Sequence, residues 1–346
     1  MNIYIFTKKD ETLKTAFPKS AEFLDLDALS EHKPEDGSVS YMDVSGFSEP
    51  ELKKALTLIK NKCTDSGWGI IDPKNSVKDV AVLFFEGACD YLGASFFKNS
   101  MSVDSKRVKE ALSWRKTSAD FKPAASDENG KSGAEKPDKT LLFKSGIKLP
   151  SESTFPGWNK MQSGKEMPFY LLYCSIHEND QLNTRLDAKT LANVHKRFLS
   201  CMDDNFSEGD GLLWINSGKD CLFLVPPRIK NIETAIKKCI TVIISTPLIV
   251  LESLAVSFPL NFVFALHYGS INYKPPGKTG TVVSDAINFI FHLGTKRAQP
   301  GRLTISGELP DKTIPQSLYD CFVPAGEFEE RKIWHTKQFT YAKQWV

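Results

Sequence analysis

Four places in the chain put polar side chains where chemistry is possible. The first, Asn216-Ser217-Gly218-Lys219-Asp220, lies between the apolar runs Gly211–Ile215 and Cys221–Val225. That pattern is a tight hairpin carrying a cation and a carboxylate at its tip. The second is a helix over Ser284–Leu293, where Asn288 and His292 are four residues apart and so stand one turn from each other. The third is His267, at the end of the apolar run from Asn261, and the fourth is Asp43, at the end of Val39–Val44. Each also has an ordinary structural reading. Asp43 suits a strand-end turn, His267 a core or rim position, and Asp285 a helix cap beside Asn288. Lys219 suits a solvated hairpin tip, and Asn288 suits hydrogen bonding at a helix start.

The bulk composition narrows the choices. With 346 residues, 44 basic against 42 acidic and a formal charge of +2, the chain is long enough for two domains. It has no basic excess of the kind that nucleic acid requires. The seven cysteines (Cys63, Cys89, Cys174, Cys201, Cys221, Cys239 and Cys321) are scattered without CxxC or Cys/His spacing. They read as reduced core thiols rather than metal ligands. The opening Met-Asn-Ile-Tyr-Ile-Phe meets Lys8, Lys9 and Asp10 at once, so no signal-peptide core is expected. The most apolar stretch, Cys239–Leu251, contains Pro247 and is far shorter than the roughly 20 residues a membrane span needs. A soluble, cytoplasmic protein with no membrane or nucleic-acid partner is expected.

The elements that would position these residues follow from periodicity. Strands are predicted at Asn2–Phe6, Val39–Val44 and Trp68–Ile71, with helices at Glu49–Lys62 and Val77–Ala88 and a last strand or turn at Tyr91–Phe97. This alternation implies a parallel sheet covered on both faces. Asp104–Lys116 reads as a helix, and Thr117–Thr140 is a polar linker rich in Ser, Asp, Lys, Gly and Pro. Beyond it come a strand at Pro168–Ile176, a helix at Leu186–Phe206, and the hairpin. A helix from Ile229, a strand at Asn261–His267, the Asn288 helix and a strand at Arg302–Ile305 complete the order.

The second half resembles the class III adenylate/guanylate cyclase catalytic domain. Phe262-Val-Phe-Ala-Leu-His-Tyr-Gly269, Gly280–Leu293 and Ala298-Gln-Pro-Gly-Arg-Leu-Thr-Ile-Ser306 are similar to its strand ending in His-x-Gly, its Gly-Asp-x-Val-Asn helix and its Pro-Gly-x-Ile-x-Ser strand. Phe169–Ile176 and Ile215–Leu224 fall in order as its first strand and hairpin, so the likeness spans roughly residues 165–310. The resemblance implies two divalent metals held by two aspartates. Those positions fall at Ser175 and Lys219, with Asp220 expected on the opposite face of its strand from Lys219. His177, Glu178 and Asp180 are the nearest candidates for relocated ligands. The base-recognising pair falls at Ile215 and Thr279, which implies a more apolar pocket. Of the transition-state pair, Asn288 is kept, and His292 stands where an arginine belongs. A decayed diguanylate cyclase hairpin at Ser217–Leu222 is the related alternative, and it too implies a ruined metal site.

The first half resembles a response-regulator receiver. Asn2–Phe6, Val39–Gly46 and Gly87-Ala-Cys-Asp-Tyr-Leu92 carry the likeness, and Asp43 takes the place of the phosphate acceptor. The magnesium-binding acidic pair falls at Thr7 and Lys8 and the phosphate-steadying lysine at Ala94, so phosphorylation of Asp43 would have little electrostatic support.

The expected fold is therefore a doubly wound α/β receiver-like domain (1–100), a helix and polar linker (101–140) and an α+β ferredoxin-like, class III cyclase-like βαββαβ domain (141–346). The expected function is a signalling module without catalysis that dimerises through the second domain and binds a signalling partner. A nucleotide or cyclic-nucleotide sensor using Ile215, Thr279 and Asn288 is one alternative, and a divergent cyclase with relocated ligands is another. No cofactor is expected, and magnesium or manganese enters only with residual cyclase activity.

Overall fold

The computed structural model describes residues 2–8, 13–63, 66–78, 80–98, 101–120, 145–150, 155–177, 180–256, 258, 260–279 and 284–337. They form two compact units, one from Met1–Ala124 and Ile244–Pro259, the other from Ala125–Ile243 and Leu260–Phe339.

The first unit runs β1 (Ile3–Phe6), β2 (Glu22–Leu24), β3 (Val39–Asp43), α1 (Glu49–Lys62), β4 (Gly67–Asp72), α2 (Val80–Phe85), β5 (Asp90–Gly93), α3 (Ala94–Lys98) and α4 (Ser105–Asp120). All its strand pairs are parallel, in the order β2-β1-β3-β4-β5. That is a doubly wound order, with the switch point between β1 and β3. Alternate residues explain why its strands read as unbroken apolar runs. Ile3, Ile5, Val39, Tyr41 and Ile71 enter one buried cluster, while Tyr4, Phe6, Met42 and Ile70 enter another. The α1 boundary is set by Ser48, whose amide and hydroxyl both donate to Glu51 (2.8 and 2.6 Å). Tyr91–Phe97 divides into the end of β5 and α3 rather than forming one strand.

The second unit continues as β6 (Glu166–Ile176), α5 (Asp180–Arg185), α6 (Ala188–Phe206), β7 (Leu212–Asn216), β8 (Asp220–Val225) and α7 (Ile229–Ile244). After α8 (Thr246–Leu248), which belongs to the first unit, it resumes with β9 (Phe262–Asn272), α9 (Asp285–Lys296), β10 (Leu303–Ser306), β11 (Phe322–Phe328) and β12 (Arg331–Thr336). Its sheet has the order β11-β12-β10-β9-β6-β8-β7. The segment β9-β6-β8-β7, antiparallel throughout and connected through α6 and α7, is a ferredoxin-like βαββαβ core. β10 joins it parallel to β9, and the β11–β12 hairpin, which the sequence pattern does not announce, widens it.

Helix α6 buries Val194, Phe198, Met202 and Phe206, four apart throughout. Phe198 stacks on Phe262, and Phe206 packs on Phe223 and Phe264. The opposite sheet face, with Phe169, Leu171 and Tyr173, is covered by Ile287, Phe289, Ile290 and Leu293 of α9. Each such buried side chain contributes roughly 1.5–3 kcal/mol. Among the described residues no single helix is long and apolar enough to cross a membrane.

Candidate functional site

Strand pairing decides which side chains meet at the end of β6. Tyr173 and Ser175 share a face because strand side chains alternate. In the β6–β8 ladder Ser175 lies opposite Asp220. The Ile176 amide donates to the Lys219 carbonyl (3.3 Å), so Ser175 and Asp220 form the next, non-hydrogen-bonded pair, the kind whose side chains come closest. The Ser175 hydroxyl donates to Asp220 Oδ1 at 2.6 Å and the Tyr173 hydroxyl to the same oxygen at 2.8 Å. Burial foremost, together with the Asp220 charge, pushes the Tyr173 hydroxyl up, which keeps it a donor.

Asp220, not Lys219, stands across from Ser175, because β8 begins at Asp220 and Lys219 remains in the turn. The turn itself is as expected: Gly218 has φ 89°, the Ser217 amide donates to the Asp220 carbonyl (3.0 Å), and Asn216 Oδ1 accepts the Gly218 amide (2.8 Å). Tyr173 is held in place by α9, where Gly294 sits against its ring. A Cβ on Gly294 would lie 2.3 Å from Tyr173 Cδ1, so only glycine permits this approach.

A pair of divalent cations needs several hard oxygen ligands. Here a single carboxylate among the described side chains, that of Asp220, faces Ser175, and one of its oxygens already accepts two hydroxyls. Among the described residues no group of three or more His, Cys, Asp or Glu is placed to hold a metal. The described residues therefore do not make up a two-metal site. Glu178 lies outside the described residues, as do residues 280–283 of the motif, and Asp180 is described only in its backbone at the start of α5. The His177 amide donates to the Asn261 carbonyl (2.8 Å).

The other candidates lie on α9 and its surroundings. Ser284 is the N-cap, accepting the Ile287 amide (3.2 Å), so Asp285 is not the cap. Asp285 instead accepts from Arg331 (2.6 Å), whose Nε donates to Glu308 (2.8 Å) and whose guanidinium lies 4.4 Å from the Phe289 ring centroid. Asn288 and His292 are exposed, and His292 Nδ1 is 2.8 Å from Glu329 Oε1. Glu329 and Glu330 form the β11–β12 turn with φ of 48° and 64°. The structure thus brings Ser175 to Asp220 and His292 to the β11–β12 turn.

His267 is buried, with Nδ1 2.8 Å from Ser306 Oγ and its ring on Phe289. Burial, assisted by the Arg331 charge, pushes its pKa down to about 3, so it is a neutral core histidine. Ile215 is half-buried against the apolar cluster that includes Trp214, opposite Leu222. Thr279 is half-buried in the loop after β9.

In the first unit Asp43 ends β3 almost fully buried. Its Oδ2 accepts the Thr7 hydroxyl (2.7 Å) and its Oδ1 the Ser45 amide (2.9 Å). Lys8 is exposed, and the Ala94 amide donates to Asn75 Oδ1 (3.0 Å). Sequence reasoning missed Tyr173 and Arg331 as site residues, and it named Asp220 at the hairpin without finding its contact with Ser175. The two-residue alternation from Ser175 was enough to find Tyr173, whereas Asp220 needed the strand register.

No family model and no curated protein matches the chain. Among solved structures it is similar to the guanylyl cyclase Cya2, at 13% identity over 53% of this chain and 98% of that one, with a TM-score of 0.39. It is also similar to the adenylyl cyclase CyaB from P. aeruginosa (14%, 54% and 100%, 0.41). A third is the guanylate cyclase domain of RhGC from Catenaria anguillulae, in complex with GTP (17%, 50% and 98%, 0.39). These neighbours are nucleotidyl cyclase domains, and each covers about half of this chain.

Proposed function

We propose that the second unit is a cyclase-like domain that does not cyclise nucleotides, and that the chain is a cytoplasmic regulatory protein acting through dimerisation and partner binding. The observation that carries this is the Ser175–Asp220 contact: a hydroxyl stands at a position where the resemblance implies a metal aspartate, and it donates its hydrogen bond to Asp220, the neighbour of the Lys219 position where the second is implied. Deprotonating a ribose hydroxyl and neutralising a triphosphate both need concentrated positive charge. A lone carboxylate already accepting two hydroxyls does not gather it. His292, shorter than arginine and engaged with Glu329, offers no guanidinium fork to phosphate. The first unit is proposed to be receiver-like, which its strand order and the place of Asp43 at the end of β3 support. With Thr7 donating to Asp43, and Thr7 and Lys8 standing where the resemblance implies an acidic pair, it is proposed to work without phosphoryl transfer.

The test is a cyclase assay on the purified chain with ATP and with GTP, each with magnesium and with manganese. The expected result is no product above a heat-killed control, with light scattering giving twice the chain mass. Product that disappears in Asp220→Asn would overturn the proposal, and a monomer would remove its dimeric part.

A further inference from the structure

The chain between α7 and β9, Ile244–Pro259, belongs to the first unit although the elements on either side of it belong to the second. Its backbone is unusual. Ile249–Ser253 is a π-helical turn, and Ala255 has φ 53°, a left-handed conformation unfavourable for alanine. Such backbone persists only where its surroundings hold it. Ile244 and Leu248 pack against the apolar cluster of Leu83, Phe84 and Tyr91. The segment's one acidic residue, Glu252, accepts from Arg107 NH2 at 3.0 Å, with side chains only 19% and 8% exposed.

Arg107 does not depend on Glu252 for its charge balance. It is already forked onto Asp90, through Nε (2.9 Å) and NH2 (2.6 Å), and its guanidinium lies 4.9 Å from the Phe96 ring centroid. Asp90 in turn accepts the Tyr41 hydroxyl and the Tyr91 amide, both at 2.8 Å. The Asp90–Arg107 pair is therefore complete within β5 and α4, and Glu252 is an additional partner. Losing it leaves no buried charge unpaired in the sheet, while the strained segment loses its charged anchor.

We propose that Glu252–Arg107 is a releasable fastening that holds this strained segment on the first unit, so that the first unit sets the conformation of the chain leading into β9. The inference does not depend on whether the second unit turns over nucleotide.

Hydrogen exchange on the full chain, resolved at individual amides, tests it with Glu252→Gln and Ala255→Gly. The reporters are the amides of Ile249, Leu254 and Val256, which donate within the segment to Ser245, Ile249 and Val250. Glu252→Gln keeps the shape and removes the charge. It is expected to speed exchange at these amides by about tenfold or more and leave β3 and β4 unchanged. Ala255→Gly relieves the left-handed strain and is expected to slow the same amides by roughly fivefold. Unchanged exchange in Glu252→Gln would overturn the fastening. A uniform rise across β3, β4 and the segment would also overturn it, because Glu252 would then be one part of a single cooperative core. Faster or unaltered exchange in Ala255→Gly would remove the strain from the argument.

Discussion

Asp220 is an acceptor serving two hydroxyls, and this makes its replacement informative. Asp220→Ala leaves the Tyr173 and Ser175 hydroxyls without that acceptor in a largely buried place, at a cost of roughly 1–3 kcal/mol. Asp220→Asn keeps an acceptor and is expected to cost about half of that or less, which thermal melts of the two variants will rank. Ser175→Asp is the sharper probe. Two carboxylates would face each other across the closest kind of strand pair, and like charges there oppose ionisation of both. The variant is expected to melt below wild type in a chelator and to recover on adding magnesium or manganese, since a cation bound only by the folded state stabilises it. Wild type is expected not to respond. A wild-type rise with metal that Asp220→Ala abolishes would show that the natural residues do hold a cation. Gly294→Ala drives a methyl into the Tyr173 ring and is expected to cost about 1–3 kcal/mol by overpacking, although alanine favours a helix.

At the scale of elements, α9 separates capping from surface pairing. Ser284 caps the helix, whereas Asp285 reaches out to Arg331 with its side chain 80% exposed. Ser284→Ala is expected to lower stability by about 1 kcal/mol. Asp285→Ala is expected to lose less, within the 0–1 kcal/mol range of exposed ion pairs. Equal losses in melts of the two variants would contradict this division. The elements legible in the sequence were those with strong local signals. Examples are α1 with its helically spaced apolar residues, α6 with its four-residue apolar stripe, and the β7–β8 hairpin around Gly218. The elements missed lack such signals. β2 is a three-residue edge strand of Glu22, Phe23 and Leu24. β11 contains Pro324 and Gly326 and changes register between Pro324 and Glu327, so its alternation is broken. The site divides in the same way. Ser175 could be placed from its own strand, but its partner depends on where β8 begins, a property of pairing between two strands rather than of either one.

At the scale of the whole molecule, the second unit carries two histidines held neutral by burial. His267 is pushed down to about 3, and His335, on Thr304 at 2.8 Å, down to about 4, in each case by burial first and nearby arginine charge second. The direction of the pH effect follows. An unfolded chain protonates both near pH 6.5, whereas the folded one does not until pH 3–4. Between these limits the unfolded state binds more protons, so stability falls as pH falls, and above about 6.5 their contribution is constant. Each histidine accounts for about 1.4 kcal/mol per pH unit in that window, so going from pH 7 to pH 5 removes roughly 3–4 kcal/mol from the second unit. Both histidines lie in the sheet that bears Ser175, while the first unit has only His32, which is also lowered by burial. Acidification to pH 5 is therefore expected to bring the melting of the second unit forward relative to the first, seen as two transitions moving apart in calorimetry. The double variant His267→Gln, His335→Gln should flatten the dependence above pH 5. If it kept the wild-type slope, the proton uptake would belong to other groups and the two histidines would not be what ties this sheet to neutral pH.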